Sequence, residues 1–533
     1  MDNNLRHRIT YIILTSVILY VLIVLNFRTS VLSNPISASV ISISFFLVIA
    51  MIIIVVNPHL LNPYRKITIL DDYVAFISSI TFLLVSVTLI NSFGTDDMEY
   101  IYEALNNLFS GKDPYSLNYY PKGVCPTYTL NGGYAAHFIY PPFSFIIYIP
   151  FYLLLKFLSL PPYYLNLENV IFDVILSIII YLEGRKKEDP FALLPVIFIY
   201  IMTAASVPPF YGVFAVIPTT FLAIAYTRRD KIGGVSLGLA TMLTQLSWLA
   251  VPFVLIYRIK DNREKPTQTI KGYFVPFLIT ISALSLPFLL WDPHAFIYNV
   301  ITTDSYTIPV GQLGLTVISY SGVFPLEPWF FTLSLGIISL FLIYIYAKHF
   351  ELIKESLWIF PLIISWFLWR TLTEYFFIWI PLLFLSLYNV DYNKIPNIRI
   401  DIKRQILLPL FLVITLLSSL AVYAHINYVQ SDPLNIEGVY PLGKLPYNAL
   451  LIKVYNTKPY TINITLVRVS LPNNLNMVWN FSAGSIPPNS TGLVFAYAPE
   501  LNESINSTVF TVQVYYNYYF ATYTVNTSSP NVS

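Results

Sequence analysis

Charge is the first shortage. Of 533 residues only 11% are Asp, Glu, Lys or Arg, against about 25% in an ordinary soluble domain. A chain that is also 56% hydrophobic cannot clothe itself in solvated side chains. With its long apolar runs it reads as a polytopic α-helical membrane protein. Cysteine is nearly missing too. Cys125 stands alone, which excludes an intrachain disulfide and a metal site built on cysteines. The net charge of +2 gives no reason to expect a nucleic-acid partner. The first apolar run ends Asn26-Phe27-Arg28 without a small-residue cleavage pattern, so it reads as a retained span. There is no tandem repeat and no low-complexity tract.

What is present is a series of apolar runs long enough to cross a bilayer, near 9–25, 36–56, 73–93, 163–183, 190–208, 210–227, 271–291, 329–347 and 406–424. Lys and Arg collect on the cytoplasmic side of membrane proteins. Here they cluster at Arg6/Arg8, Arg65/Lys66, Arg185-Lys186-Lys187, Arg228-Arg229, Arg258/Lys260, Lys348/Lys354 and Lys403/Arg404. Placing all of these on one side has three consequences. Residues 139–158 dip into the outer leaflet or lie along it. Residues 232–257 form a hairpin of short helices turning near Gln245 to Ser247. Residues 357–389 form a second broken pair with its tip near Arg370. The expectation is about 11–13 membrane segments, re-entrant pieces included, in the cell membrane with a cytoplasmic N-terminus. Segments 94–138 and 292–328 become the large outer loops.

Composition changes after residue 424. The tail 425–533 alternates apolar and polar residues, as in Asn463-Ile464-Thr465-Leu466-Val467-Arg468-Val469, between turn-forming stretches. This predicts an extracytoplasmic β-sandwich. Seven Asn-x-Ser/Thr triplets, starting at Asn463, Asn480, Asn489, Asn502, Asn506, Asn526 and Asn531, all fall in this tail, in keeping with an exterior position.

The stretch from Gly94 to Pro142 is the longest polar interruption of the apolar region. It opens Gly94-Thr95-Asp96-Asp97 at the end of a span. Carboxylates at a membrane boundary point to a working site, because ionised groups are expensive near lipid. Thr95 or Asp96 also suits the cap of a short helix starting near Asp97. The pattern Thr95-Asp96-Asp97-x-x-Tyr100, then Gly111-Lys112-Asp113-Pro114-Tyr115, then Tyr140-Pro141-Pro142 resembles the first outer loop of the GT-C membrane glycosyltransferases. The likeness is to the polyprenyl-phosphate-mannose-dependent branch, including the family-87 mannosyltransferases and their archaeal relatives. It covers about 50 residues closely. This chain carries two spans before the acidic motif where that class usually has one.

The resemblance implies a GT-C-like scaffold over 1–424. It also implies a lipid-phosphate sugar donor, and an acceptor hydroxyl on a glycan, glycolipid or glycoprotein outside the membrane. Asp96 matches the motif's first acid, with Asp97 and Tyr100 beside it. Transfer requires a base for the attacking hydroxyl, and a single inverting displacement needs only one. The departing phosphate needs a cation. Arg370 suits it through a bidentate fork, or pairs with Glu374 one turn on. His137 could meet phosphate or hydroxyls, or sit as an interfacial histidine. Gln245 and Trp248 could touch sugar, or pack helices. Asp96 and Asp97 together would give an oxygen-only site suited to Mg²⁺ or Mn²⁺. A transporter or lipid-sugar flippase is the alternative, with Asp173 and Glu168 as the acids within a span. An oligosaccharyltransferase chain would carry a Trp-Trp-Asp-Tyr-Gly motif in its outer domain. The tail has only Trp479, which excludes that reading.

Overall fold

The computed structural model describes residues 9–10, 12–17, 65–124, 126–130, 133–189, 191–206, 216–262, 266–302, 314–320, 322–372, 374–389, 403–471, 474–482, 485–499 and 504–527. The expected span over 36–56 and most of that over 9–25 lie outside these residues.

Among them the membrane part is helical. Helix α1 is Arg65–Leu89, and the acidic motif opens α2, Asp96–Phe109. The region expected to re-enter forms two short helices, α3 (Phe143–Ile146) and α4 (Ile149–Leu158). Next come α5 (Leu167–Lys186), α6 (Leu194–Ser206) and α7 (Val216–Thr227). The expected hairpin is α8 (Lys231–Thr241) and α9 (Val251–Asp261), joined by a 3₁₀ turn over Gln245–Leu249. Helix α10 (Val275–Trp291) leads to the short α11 (Pro293–Ile297) and α12 (Leu315–Tyr320). Then come α13 (Pro328–Lys348) and the second broken pair, α14 (Ile359–Ser365), α15 (Glu374–Phe377) and α16 (Ile380–Leu387). The last helix is α17, Leu408–Ser431.

Among the described residues five stretches are long and apolar enough to cross a membrane: Asp71–Leu89, Pro162–Lys186, Thr267–Trp291, Pro328–Lys348 and Gln405–Ser431. The chain is thus a membrane protein by length and composition of its helices. Helices α6 and α7 are the described parts of the spans expected over 190–208 and 210–227; residues 207–215 between them lie outside the described residues. Helix α17 runs beyond 424, so the strands begin only at Leu434. Past the apolar stretch its buried Ala424 and Tyr428 pack on outer segments, which keeps the helix going.

Helix packing relies on small residues, as in other membrane bundles, where water gives no hydrophobic drive between helices. Helix α8 lies against α7 and α10. A methyl group on Gly234 would overlap the carbonyl oxygen of Tyr273, and one on Gly238 would stand 2.7 Å from Thr280 Cβ.

Side-chain contacts sort into two belts at opposite ends of the helices. In the first, Arg185 holds Asp72 through a fork at 2.9 and 2.6 Å. Arg229 pairs with Asp261 at 2.8 Å, Tyr226 donates to Glu355 at 2.8 Å, and Lys260 reaches the carbonyl of Ala347. In the second, Asn166 donates to the carbonyls of Ser92 and Phe93 at 3.3 and 3.2 Å. There too the Phe143 amide bonds Met242 at 2.9 Å and the Leu315 amide bonds Trp366 at 2.9 Å. Of the basic clusters expected together, those of Arg185, Arg229 and Lys260 are in the first belt; Arg6 and Arg8 lie outside the described residues. The motif Gly94 to Asp97, the Gln245 turn and the Arg370 tip belong to the second.

The tail departs from the expected two-sheet sandwich. Seven of its nine strands form one antiparallel sheet in the order β1-β2-β7-β5-β4-β8-β9. They are β1 (Leu434–Leu442), β2 (Ala449–Asn456), β4 (Leu466–Leu471), β5 (Asn474–Ser482), β7 (Thr491–Tyr497), β8 (Val509–Tyr516) and β9 (Tyr519–Asn526); β3 (Ile462–Asn463) pairs only with β6 (Ser485–Ile486). The strand β5 pairs with β4 through its first part and with β7 through Asn480 to Ser482. This lets the sheet turn a corner and curl until β1 and β9 touch. The enclosed core holds Val467, Val469, Trp479, Val512, Val514 and their neighbours.

The opposite face of β4, β5, β8 and β9 is covered as well. Leu466, Val478, Tyr515 and Phe520 pack on Tyr128, Leu130, Trp369 and Tyr428 of the membrane part. The strands read as half-solvated because they alternate, yet their more polar face is an internal seam.

Candidate functional site

The acidic motif sits where α1 gives way to α2. Gly94 adopts a positive φ of 79°, a conformation that costs glycine little, and the chain reverses there into α2. Thr95 takes the N-cap place with extended backbone (φ −135°, ψ 156°), but its side chain makes no capping bond. Its hydroxyl donates to Asp97 Oδ1 instead. The simple capping explanation therefore does not account for Thr95. Asp96, Asp97 and Glu99 occupy the first turn of α2, where the helix dipole favours negative charge.

Residues 127–129 pair with 133–135 and close on this turn. They are held by the Tyr128–Tyr134 bridge and by the Ala135 amide on the Thr127 carbonyl at 2.7 Å. They present the Thr127 amide to Asp96 Oδ2 at 2.6 Å and the Ala135 carbonyl to the Tyr100 hydroxyl at 2.8 Å. Arg370 Nη2 reaches Thr127 Oγ1 at 3.4 Å. One threonine thus touches both the carboxylate and the guanidinium. Burial, and then the charge of Asp96, pushes the Tyr100 hydroxyl far above the ordinary phenol range, so it remains a donor. Tyr140 is pushed well up by burial and by Asp97 and Asp96.

These groups line one cavity of about 750 Å³. Its polar lining includes Thr95, Asp96, Asp97, Tyr100, Thr127, His137, Gln245, Arg370 and Tyr375, and its apolar lining includes Leu246, Leu249, Trp329, Phe331, Leu335 and Phe367. The cavity therefore gathers the sequence candidates Asp96, Asp97, Tyr100, His137, Gln245, Trp248 and Arg370. Glu374 begins α15, and its side chain lies outside the described residues. Asp97 is buried, Asp96 and Arg370 are half-buried, and His137 is exposed at the rim.

Gln245 is committed to the scaffold. Its amide nitrogen donates to the carbonyls of Ile139 at 2.7 Å and Val300 at 3.0 Å, tying the α8–α9 turn to two neighbouring segments. Trp248 Nε1 is likewise used by the Thr241 carbonyl at 2.8 Å. Both serve packing, although both also border the cavity.

Chain pattern missed Thr127 and Trp369. Thr127 lies 31 residues from Asp96 in an irregular loop, where no periodicity marks it. Trp369 bears edge-on against Phe331 with ring centres 5.1 Å apart, and only its place beside Arg370 could have drawn notice. The Asp113-Pro114-Tyr115 turn lies behind the wall. Asp113 takes the Tyr115 amide at 3.0 Å and the Ser116 hydroxyl at 2.7 Å.

A metal finds a poor fit. Asp96 and Asp97 are neighbours, but among the described residues no group of three or more His, Cys, Asp or Glu converges to hold an ion. Comparison of the chain with protein-family models, curated proteins and solved structures finds no match.

Proposed function

We propose that this chain is a membrane glycosyltransferase. It moves a hexose, with mannose the first candidate, from a dolichyl or other polyprenyl phosphate to a hydroxyl of a glycan, glycolipid or glycoprotein outside the cytoplasm. One observation carries the reading. A carboxylate (Asp96) and a guanidinium (Arg370) meet across Thr127 in a cavity lined by both polar and apolar side chains, at the helix ends away from the Arg185, Arg229 and Lys260 contacts. The resemblance of the Thr95 to Tyr100 motif to GT-C enzymes points the same way.

In this proposal Asp96 takes the proton of the acceptor hydroxyl as its oxygen attacks the anomeric carbon. The bond from that carbon to the phosphate oxygen breaks, and its electron pair leaves with the polyprenyl phosphate. Arg370 meets the departing phosphate oxygens. The anomeric centre inverts. No step passes through a metal. The protein would sit in the cell membrane with the basic belt and N-terminus in the cytoplasm and the β-domain outside.

A transporter or lipid-sugar flippase is the second reading, favoured by Glu168 and Asp173, both buried on α5. Neither lines the cavity. Membranes containing the protein, supplied with a panel of polyprenyl-phosphate hexoses, separate the two. Mass analysis of the extract should find an acceptor heavier by one hexose and free polyprenyl phosphate. Movement of intact donor between leaflets with no heavier acceptor would replace the transferase reading by the transporter.

A further inference from the structure

The covered face of the β-domain contains a buried cation that the proposed transfer step does not use. Arg468 lies on β4 between Leu466 and Ser470, opposite Val478 of β5 and Gln513 of β8. Strand alternation turns it away from the β-domain core and toward the seam with the membrane part. Only 3% of it is exposed. Its partner among the described residues is neutral. Nη1 donates to the Tyr515 hydroxyl at 3.0 Å, and the guanidinium carbon stands 5.9 Å from the centre of the Tyr515 ring. The Tyr515 hydroxyl passes the bond on to Gln513 Oε1 at 2.9 Å. Nε makes no hydrogen bond. Among the described residues no carboxylate stands within ion-pair distance of Arg468. The acid in the same seam, Glu327, is engaged by Tyr519 at 3.3 Å instead.

An arginine keeps its charge at any working pH. A buried charge is retained at low cost only when paired and hydrogen-bonded. Tyr515, itself held by Gln513, answers Nη1 and leaves Nε buried without an acceptor. The group that would complete it is an oxyanion, which matches the planar donor set in a bidentate manner. The location is also informative. The seam's other wall is Tyr128, Leu130 and Trp369; Trp369 lines the cavity, and Tyr128 follows the threonine that holds Asp96. Tyr518 and Tyr519, half-buried, stand in the same seam with their hydroxyls 3.0 Å apart.

We infer that Arg468 is the centre of an anion-binding subsite, reached where the β-sheet rests on Tyr128 and Leu130, and that it recognises a carboxylate, phosphate or sulfate carried by the acceptor. The acceptor role rests on the transferase reading. The anion site does not.

The test has two arms, both on the full-length protein in detergent. In the first, thermal unfolding is followed while sodium sulfate replaces sodium chloride at constant ionic strength. The wild type should show a saturable rise in melting temperature. Arg468→Gln should lose it, and Arg468→Lys, which keeps the charge without the fork, should saturate at a higher sulfate concentration. The lysine variant guards against misfolding of the glutamine one. In the second arm, transfer is measured to a glycolipid pair differing only in a terminal glucuronyl or glucosyl unit. Arg468→Gln should raise KM for the glucuronyl acceptor by about tenfold to a hundredfold and leave the glucosyl acceptor unchanged. Equal sulfate responses in wild type and both variants, or no response in any, overturn the anion site. A KM change equal for both acceptors overturns its role in acceptor choice. Transfer to neither acceptor by the wild type, with the sulfate response intact, removes the transferase reading and leaves the anion site standing.

Discussion

Replacing Arg370 by lysine keeps the positive charge in the cavity and removes the planar fork. In the structure Arg370 Nη2 rests 3.4 Å from Thr127 Oγ1, a long contact that a phosphate oxygen would readily displace. A hydrogen bond to a charged group contributes about 1.5–3 kcal/mol. Lysine can replace one of the two bonds of a fork but does not hold both. The expected loss in kcat/KM is therefore one such bond, about 10-fold to 150-fold at 1.4 kcal/mol per decade. Arg370→Met removes both bonds and the charge, and the loss should reach about 10²-fold to 10⁴-fold. The assay is transfer from a polyprenyl-phosphate hexose in detergent, with inhibition by free polyprenyl phosphate measured alongside. If Arg370 meets the departing phosphate, the inhibition constant rises in step with the rate loss. A lysine variant with wild-type kcat/KM, or a loss of rate with unchanged product inhibition, refutes this account of Arg370.

Three further outcomes are expected. Gln245→Leu leaves the carbonyls of Ile139 and Val300 without their donor; at about 1–3 kcal/mol per orphaned group, its melting temperature should fall clearly below wild type, and the donor KM should change less than for Arg370→Met. Gly234→Ala forces a methyl group onto the Tyr273 carbonyl; overpacking costs about 1–3 kcal/mol or more, so the yield of folded protein in a size-exclusion profile should drop. Burial raises the Asp432 carboxyl to about 7. The native state therefore holds that proton where the unfolded chain has released it, so this stabilisation is full below the ordinary carboxyl range and is lost as pH rises through about 7, at about 1.4 kcal/mol per unit. Asp432→Asn should gain on wild type in melting temperature between pH 4 and 7; parallel curves would contradict the assignment.

The helical region was legible because lipid imposes length and apolarity on anything that crosses it. The two broken segments were legible because an expectation that Lys and Arg collect on one side requires each to turn back, and the helices do break at Gln245 and near Arg370. The expected β-sandwich became a curled single sheet because pairing order depends on where β5 changes partners, and no residue pattern along one strand announces that. The acids, Tyr100, His137 and Arg370 were found from a motif and from charge at a membrane edge. Thr127 was not, since its role comes from a backbone amide, a group every residue but proline possesses. Arg468 is one residue of an alternating stretch in the tail, and only the second packed face of the sheet shows it buried.

The central claim is that the carboxylate of Asp96 accepts the acceptor's proton. Asp96→Asn is nearly isosteric, and the new amide oxygen can still take the Thr127 amide at the place of Oδ2, so the loop geometry is kept while the base is lost. Single-turnover transfer from a polyprenyl-phosphate hexose, compared between wild type and Asp96→Asn at matched expression and melting temperature, measures the claim directly. The account predicts a rate lower by about 10²-fold to 10⁴-fold with donor binding retained; a wild-type single-turnover rate in Asp96→Asn would contradict it.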